Sequence, residues 1–524
     1  MKRFLIYLAS ASFLLACTEK EYNSWNTPYQ GDESFSHDMI VLGEQLDDPY
    51  SVRNMTKALQ SVAPAGRTTL DPTDFYVRFL PKNDEQLQKL IDMGLELTDH
   101  PLDYRIVRDG DWYHDPSLPD ESITWQYAVV PVDFEFPADV RYERIDECFL
   151  PENNPATKSD GIDWDAVERE AFRLTGNAEL YAGSTKAGES SYPKGRITIS
   201  DPAVDDEPIG VKGVKICCNS FVKFGVTYTD DEGYYKMGVK FSSEVRYRLV
   251  FQNINGFKQG INLVLIPASV STLGRHPAEG CDMLIDTYSD RKLFTRCVVN
   301  NAGYDYCAAC NESGRSLPLP PKDLRIWDLP VLDINFAVMM HQGCIVETYE
   351  PLSTLLGEYT PLVKLLQPDV YLGLHDTNGY SDIYERAMHV FAKAGMFSQV
   401  GKKWWGVLVE YSCLSLVSSG LNSMYGSRDD ENSGYCEIAE MYAAYCQTIM
   451  FRRRYPEFSG MFGTSSWFSP QILMYLDERG LGLEKLAPMF TSDVVNLEGL
   501  QNKLLSYYPA FKSVINEAFA RYGE

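Results

Sequence analysis

Two segments hold the residues whose types and spacing could do chemistry: AMHVFAKAGMFSQVGKKWW, residues 387–405, and GYCEIAEMYAAY, residues 434–445. A helix bearing H-E-x-x-H presents two histidines one turn apart to a single metal ion, and its glutamate takes a proton from the metal-bound water. His389 stands where such a motif would begin, but Val390 takes the place of the base and Lys393 that of the second imidazole. On the second segment Glu440 could supply a carboxylate ligand, with Glu437 one turn before it. Catalytic zinc takes three protein ligands plus water, so His389 and Glu440 alone do not hold it. Glu385, one turn before His389, could complete an atypical set of Glu385, His389 and Glu440, still with no base in the usual place. The plain alternative is an amphipathic helix with a core or surface histidine, and with Glu437 and Glu440 on a solvated face.

Other chemistries have weaker support. GTSSWFS contains serines without a G-x-S-x-G turn, and nothing in the sequence brings His341 or His375 to them. No glycine-rich loop is present to cradle phosphate. Cys307 and Cys310 have zinc or redox spacing, but no second C-x-x-C or histidine pair completes a site, so buried or disulfide-bonded cysteines are expected. Adjacent Cys217 and Cys218 would point to opposite faces of a strand. Trp404 and Trp405 could stack on a sugar, although adjacent tryptophans on a helix ordinarily serve packing.

With 524 residues, 44% of them hydrophobic, the chain is long enough for several domains with real cores. A formal net charge of −25 argues against nucleic acid as a partner, because phosphates would be repelled. Lys2 and Arg3 precede FLIYLASASFLLA, an apolar run too short to span a bilayer comfortably. LLAC then reads as a bacterial lipobox ending at Cys17, the residue expected to carry the lipid and become the mature N-terminus. Several acyl chains on one cysteine anchor stably, since each buried methylene contributes roughly 0.8 kcal/mol. TEKEY, which follows, is similar to the surface-export signal of Bacteroidetes lipoproteins. The expected location is therefore the cell envelope, as a surface-exposed outer-membrane lipoprotein whose membrane partner is reached through the anchor.

The elements that must position the candidate residues are read from hydrophobic period and turn chemistry. Residues 18–70 are polar and poorly patterned and predict a flexible tether. A small α+β domain is expected over 71–157, with DFYVRFL as a strand and a helix capped by Asn83 and ended by Gly94. A helical linker over 158–192 contains WDAVEREAFRLTGN. The 193–265 region alternates at Val214 and Ile216, at Val226 and Tyr228, and from Val245 through Tyr247 and Leu249 to Phe251, with a DDEG turn needing positive φ at Gly233. Its G-V-K-G-V-K, T-D-D-E-G-Y-Y and Y-R-L-V-F runs resemble the carboxypeptidase regulatory-like, transthyretin-like β-sandwich, which implies a folding or spacer role. Asp230, Asp231 and Glu232 form a turn that reads as solvated in preference to a calcium site. Residues 266–524 are mainly helical, with DLRIWDL and DVYLGL as strands.

In this last region the resemblance becomes particular. FSQVGKKWW resembles the segment after the zinc helix in gluzincin-type lipoproteins of Bacteroidetes, and HVFAKAGMF keeps His389, Ala392, Ala394 and Phe397 of the stretch before it. GYCEIAEMYAAY is similar to that family's third-ligand helix, with Glu440 in the ligand position. The resemblance implies a zincin-like scaffold, with DVYLGL as its substrate-side edge strand, that keeps His389 and Glu440 and has lost base and ligand at Val390 and Lys393. It thus implies a protein without peptidase activity, a pseudoenzyme with no cofactor, that serves as a scaffold or holds a peptide or glycan in the old cleft. Zinc enters only under the alternative, a metalloprotease built on Glu385, His389 and Glu440. Lys393, on the same helical face as His389, is expected to place its ammonium within about 4 Å of Glu440 or Glu437 as a fixed positive charge.

Overall fold

The computed structural model describes residues 39–523 apart from 64–68, 120–121, 183–189, 205–206, 261–267, 313, 315, 330–334, 345–366 and 420–422. The expected signal segment, Cys17 and the first part of the tether lie outside the described residues. The chain is mixed α and β, with several sheets.

The tether reading fails from residue 41 on. Strand β1 (Val41–Gln45) pairs antiparallel with β3 (Tyr104–Arg108), and helix α1 (Val52–Val62) begins at Ser51, whose side chain accepts from the Asn54 amide. Met55, Ala58 and Leu59 share one face and are fully buried, with Val167, Ala171 and Phe172 of α3 (Trp164–Leu174) in the same core. The i, i+3, i+4 spacing that buries them is present in the sequence but sits among polar residues that mask it. Between these helices β2 (Asp74–Leu80) forms the centre of a sheet ordered β4–β2–β5, with β4 at Gln126–Pro131 and β5 at Arg141–Cys148. Helix α2 (Asp84–Asp92) is capped by Asn83 as expected and lays Leu90 on Phe75, Val77 and Phe79 of β2.

The β region forms two layers. One contains β6 (Lys194–Ile199), β7 (Ile209–Gly210), β10 (Tyr234–Lys236) and β14 (Met283–Ile285). The other is built on β8 (Val214–Ser220), β9 (Lys223–Tyr228), β11 (Val245–Asn253) and β13 (Val270–His276). Ile197 and Ile199 share a core with Val214, Ile216, Tyr247 and Leu249, and Tyr235 meets Tyr247 edge-on across the layers at 6.1 Å. Gly233 has φ +82° in the turn before β10. Val226 departs from expectation. Its cross-strand partner is Cys217, so it lies on the face opposite Val214 and Ile216, on an outermost strand, and is only half-buried. The β region also extends past residue 265, since β13 and β14 are hydrogen-bonded into its two layers.

The alternating strand β11 is buried on both faces. Tyr247 and Leu249 enter the layered core, while Arg246 and Arg248 point the other way, under the N-terminal part, where Asp109 takes Arg246 Nη2 at 2.5 Å. The larger sheet, 8-stranded in all, runs on through β12 (Lys258–Gln259), β15 (Arg325–Leu329), β17 (Val370–Gly373) and β16 (Asn335–Ala337). β12 pairs parallel with β15, and β15 parallel with β17. DVYLGL is therefore not an edge strand: antiparallel β16 covers its other side.

The helices that follow pack around α5 (Tyr380–Val400). Helix α4 (Arg291–Glu312) approaches it at two glycines, Gly303 beneath the Phe391 ring and Gly395 beneath the Tyr306 ring, where a Cβ has no room. Gly401, with φ +80°, turns the chain into α6 (Lys402–Ser418), and α7 (Ser433–Arg454) lies against α5.

Candidate functional site

The site is made where α5 and α7 face each other. Helical spacing puts Glu385, His389 and Lys393 on one stripe of α5, and Glu440 and Gln447 on one stripe of α7. Lys393 Nζ is ion-paired with Glu440 Oε1, and both residues are almost wholly excluded from solvent, at 2% and 3% exposure. His389 Nε2 lies 3.0 Å from Glu440 Oε2, so one carboxylate is shared between ammonium and imidazole. On the other side of the ring, His389 Nδ1 is 3.1 Å from Gln447 Oε1, while Gln447 Nε2 donates to the Glu385 carboxylate and, at 3.0 Å, to its backbone carbonyl.

This chain of contacts engages the groups that the sequence offered as metal ligands. Both ring nitrogens of His389 are thus engaged by side chains, Nε2 by Glu440 and Nδ1 by Gln447. Glu385 and Glu440 sit on opposite sides of that ring, so Glu385, His389 and Glu440 share no common point. Among the described residues, no group of three His, Cys, Asp or Glu side chains could hold a metal ion. Val390, which the resemblance set in the slot of the base, is buried in the hydrophobic core.

Of the two carboxylates offered for Lys393, the structure selects Glu440. Glu437 is taken by Arg428 Nη2 at 2.8 Å, and the same guanidinium donates to Ser469 Oγ at 3.0 Å. Neither glutamate is on a solvated face. Arg428 and Gln447 are absent from the sequence reading. Gln447 is two turns beyond Glu440 on the same stripe, a signal present in the sequence, whereas Arg428 precedes α7 in a loop and carries no periodic signal.

The other candidates separate cleanly. Cys307 and Cys310 are buried thiols on α4, and none of the eleven cysteines among the described residues is in a disulfide. Burial pushes the Cys307 thiol up to about 12, away from reactivity. Trp404 and Trp405 are buried and donate their indole N–H groups to Val494 O and Ala337 O at 2.9 and 2.8 Å, so they serve as wall and not as a sugar platform. In the DDEG turn, Asp230 Oδ1 accepts from the Glu232 and Tyr234 amides, the bonding of an ordinary tight turn.

Electrostatics follow the geometry. Burial alone would raise the Glu440 carboxyl, but the adjacent Lys393 ammonium, followed by His389, outweighs it and holds the group down to about 2, against an ordinary value of 4.5. A carboxyl held low in the folded state stabilises that state fully above pH 4.5 and loses the contribution as pH falls from 4.5 toward 2. Wild type is therefore expected to exceed Glu440→Gln in melting temperature at pH 7, with the gap closing below about pH 4. Thermal melts of both proteins across pH 7 to 2.5 check this, and a gap that persists unchanged at the acid end would contradict it. Compared with known proteins, the chain matches no family model, no curated protein and no solved structure.

Proposed function

We propose that this chain is a surface or outer-membrane lipoprotein, anchored through Cys17, whose C-terminal part is a zincin-like scaffold that has exchanged its metal site for an ion pair. On this reading it acts as a non-catalytic scaffold or binding protein. The observation that carries the reading is the Lys393–Glu440 pair: the ammonium stands on the helical position where a second metal-binding histidine would be, against the carboxylate in the third-ligand position. A fixed cation there supplies the positive charge that zinc would otherwise bring to a buried carboxylate, and it repels zinc. The layered β region is in keeping with a transthyretin-like spacer domain between the anchor side and the helical part. The metalloprotease alternative is less well supported, because Gln447 stands between Glu385 and His389 and fixes both.

The test is to remove the cation and supply the ligand. Wild type, purified and dialysed against zinc, is expected to retain no stoichiometric metal, whereas Lys393→His is expected to take up about one equivalent through three ligands. Metal content is read by atomic emission. Stoichiometric zinc in wild type, or none in Lys393→His protein that is folded by circular dichroism, overturns the reading.

A further inference from the structure

The N-terminal part closes over the outer face of β8, β11 and β13 at a place lined by no residue of α5 or α7. A cavity of about 90 Å³ opens there, with Glu96, Lys215 and Gln252 half-buried around it and Arg248, Cys217 and His100 buried within. At roughly 30 Å³ per water in the liquid, that volume corresponds to about three waters, or to a small organic ligand of like volume. Much of the wall is apolar, including Leu95, Phe224, Val250 and Val270.

Among the described residues, the charges around this cavity are paired with one exception. Lys215 meets Glu96 at 2.6 Å. Arg246 presents its Nε and Nη2 edge to Asp109, and its Nη1 lies 3.1 Å from His100 Nε2. Asp99 accepts from the Tyr113 amide and lies 2.8 Å from His100 Nδ1, while Asp111 accepts from Arg296. Arg248, two residues on from Arg246 and on the same face of β11, has no carboxylate partner among the described residues. Its Nε is buried without a hydrogen-bond partner among them, and its Nη2 reaches only Asn219 Oδ1, at 3.5 Å. The residue is 6% exposed. Burial and the neighbouring Arg246 hold its guanidinium below the ordinary arginine range. A buried cation without a carboxylate partner is costly unless an anion completes it.

We propose that this cavity binds a small aliphatic monocarboxylate, its charge answered by the Arg248 guanidinium and its hydrocarbon against the apolar wall. One unpaired guanidinium matches one negative charge and a planar pair of acceptors, as Asp109 matches Arg246. A phosphate dianion would bring a second charge, for which the described lining residues offer no free cation. The site is independent of the zincin-like reading and uses none of its residues.

Titration calorimetry of the full-length protein with butyrate, butyramide and inorganic phosphate tests it. Butyrate is expected to bind saturably at one site, at least tenfold more tightly than butyramide or phosphate, and at least tenfold more weakly to Arg248→Met. The butyrate–butyramide comparison is made on the unmodified protein and so holds whatever the variant does to folding. Absence of saturable butyrate binding, equal binding of butyramide, equal or tighter binding of phosphate, or unchanged affinity in folded Arg248→Met each overturns the proposal.

Discussion

Lys393→Ala is expected to lower the unfolding free energy by about 3 kcal/mol at pH 7, because it takes the ammonium from the buried Glu440 carboxylate and leaves the His389 ring as its remaining partner. The cost comes from stranding a charge, more than from the worth of the pair itself. Replacing both partners by neutral groups of similar volume, Lys393→Met with Glu440→Gln, is therefore expected to lose less than half as much. Urea denaturation of Lys393→Met, Glu440→Gln and the double variant gives the coupling directly. A loss under about 1 kcal/mol for Lys393→Ala would place the pair in the range of solvent-exposed ion pairs and remove it as the holder of α5 against α7.

A loss of similar size, about 3 kcal/mol, is expected for Glu168→Ala in the N-terminal part. Glu168 is a charged residue in the middle of α3, yet it is buried. Its Oε1 accepts from Lys223 Nζ at 2.8 Å, and its Oε2 from Ser242 Oγ at 2.8 Å. The Lys223 side chain is itself 4% exposed and has Glu152 as its other partner, at 3.2 Å. Burial pulls the Lys223 ammonium down, but Glu168 and Glu152 hold it above its ordinary value. Removing Glu168 leaves that ammonium half-compensated at the start of β9. Glu168→Gln keeps an acceptor in place and is expected to lose distinctly less. Equal losses for the alanine and glutamine variants would show that the charge contributes nothing beyond packing.

What the sequence made legible was what repeats with a period or obeys local turn chemistry. The caps of α2, the positive φ at Gly233 and the inward face of β11 all follow from spacing and residue type alone. Lys393 and Glu440 could be brought together on paper because each shares a helical face with its neighbours. Four things were not legible, each because a tertiary contact decides it. Residues 41–62 read as tether because the apolar face of α1 is narrow and gains its partner only when α3 arrives. Val226 alternates correctly but in the opposite phase to β8, and phase is set by cross-strand register, which a single strand does not reveal. Arg246 and Arg248 look like the solvent face of a half-buried strand, and only the N-terminal part folding over them makes them interior. Arg428 belongs with these, since a loop residue reaching Glu437 leaves no trace in periodicity.

The union of β12 with β15 bears on how such a chain can be inherited. Although β12 is only two residues long, it is hydrogen-bonded to β11 on one side and to β15 on the other. A recombination joint placed near residue 265 would divide one hydrogen-bonded sheet between two parents. The incoming half would bring β15 with a bare edge, and bare edges recruit strands from other chains. Exchange of parts among descendants of this fold would have to carry β8 through β17 as one block, so that the layered region and the sheet beneath the helices would change together or not at all.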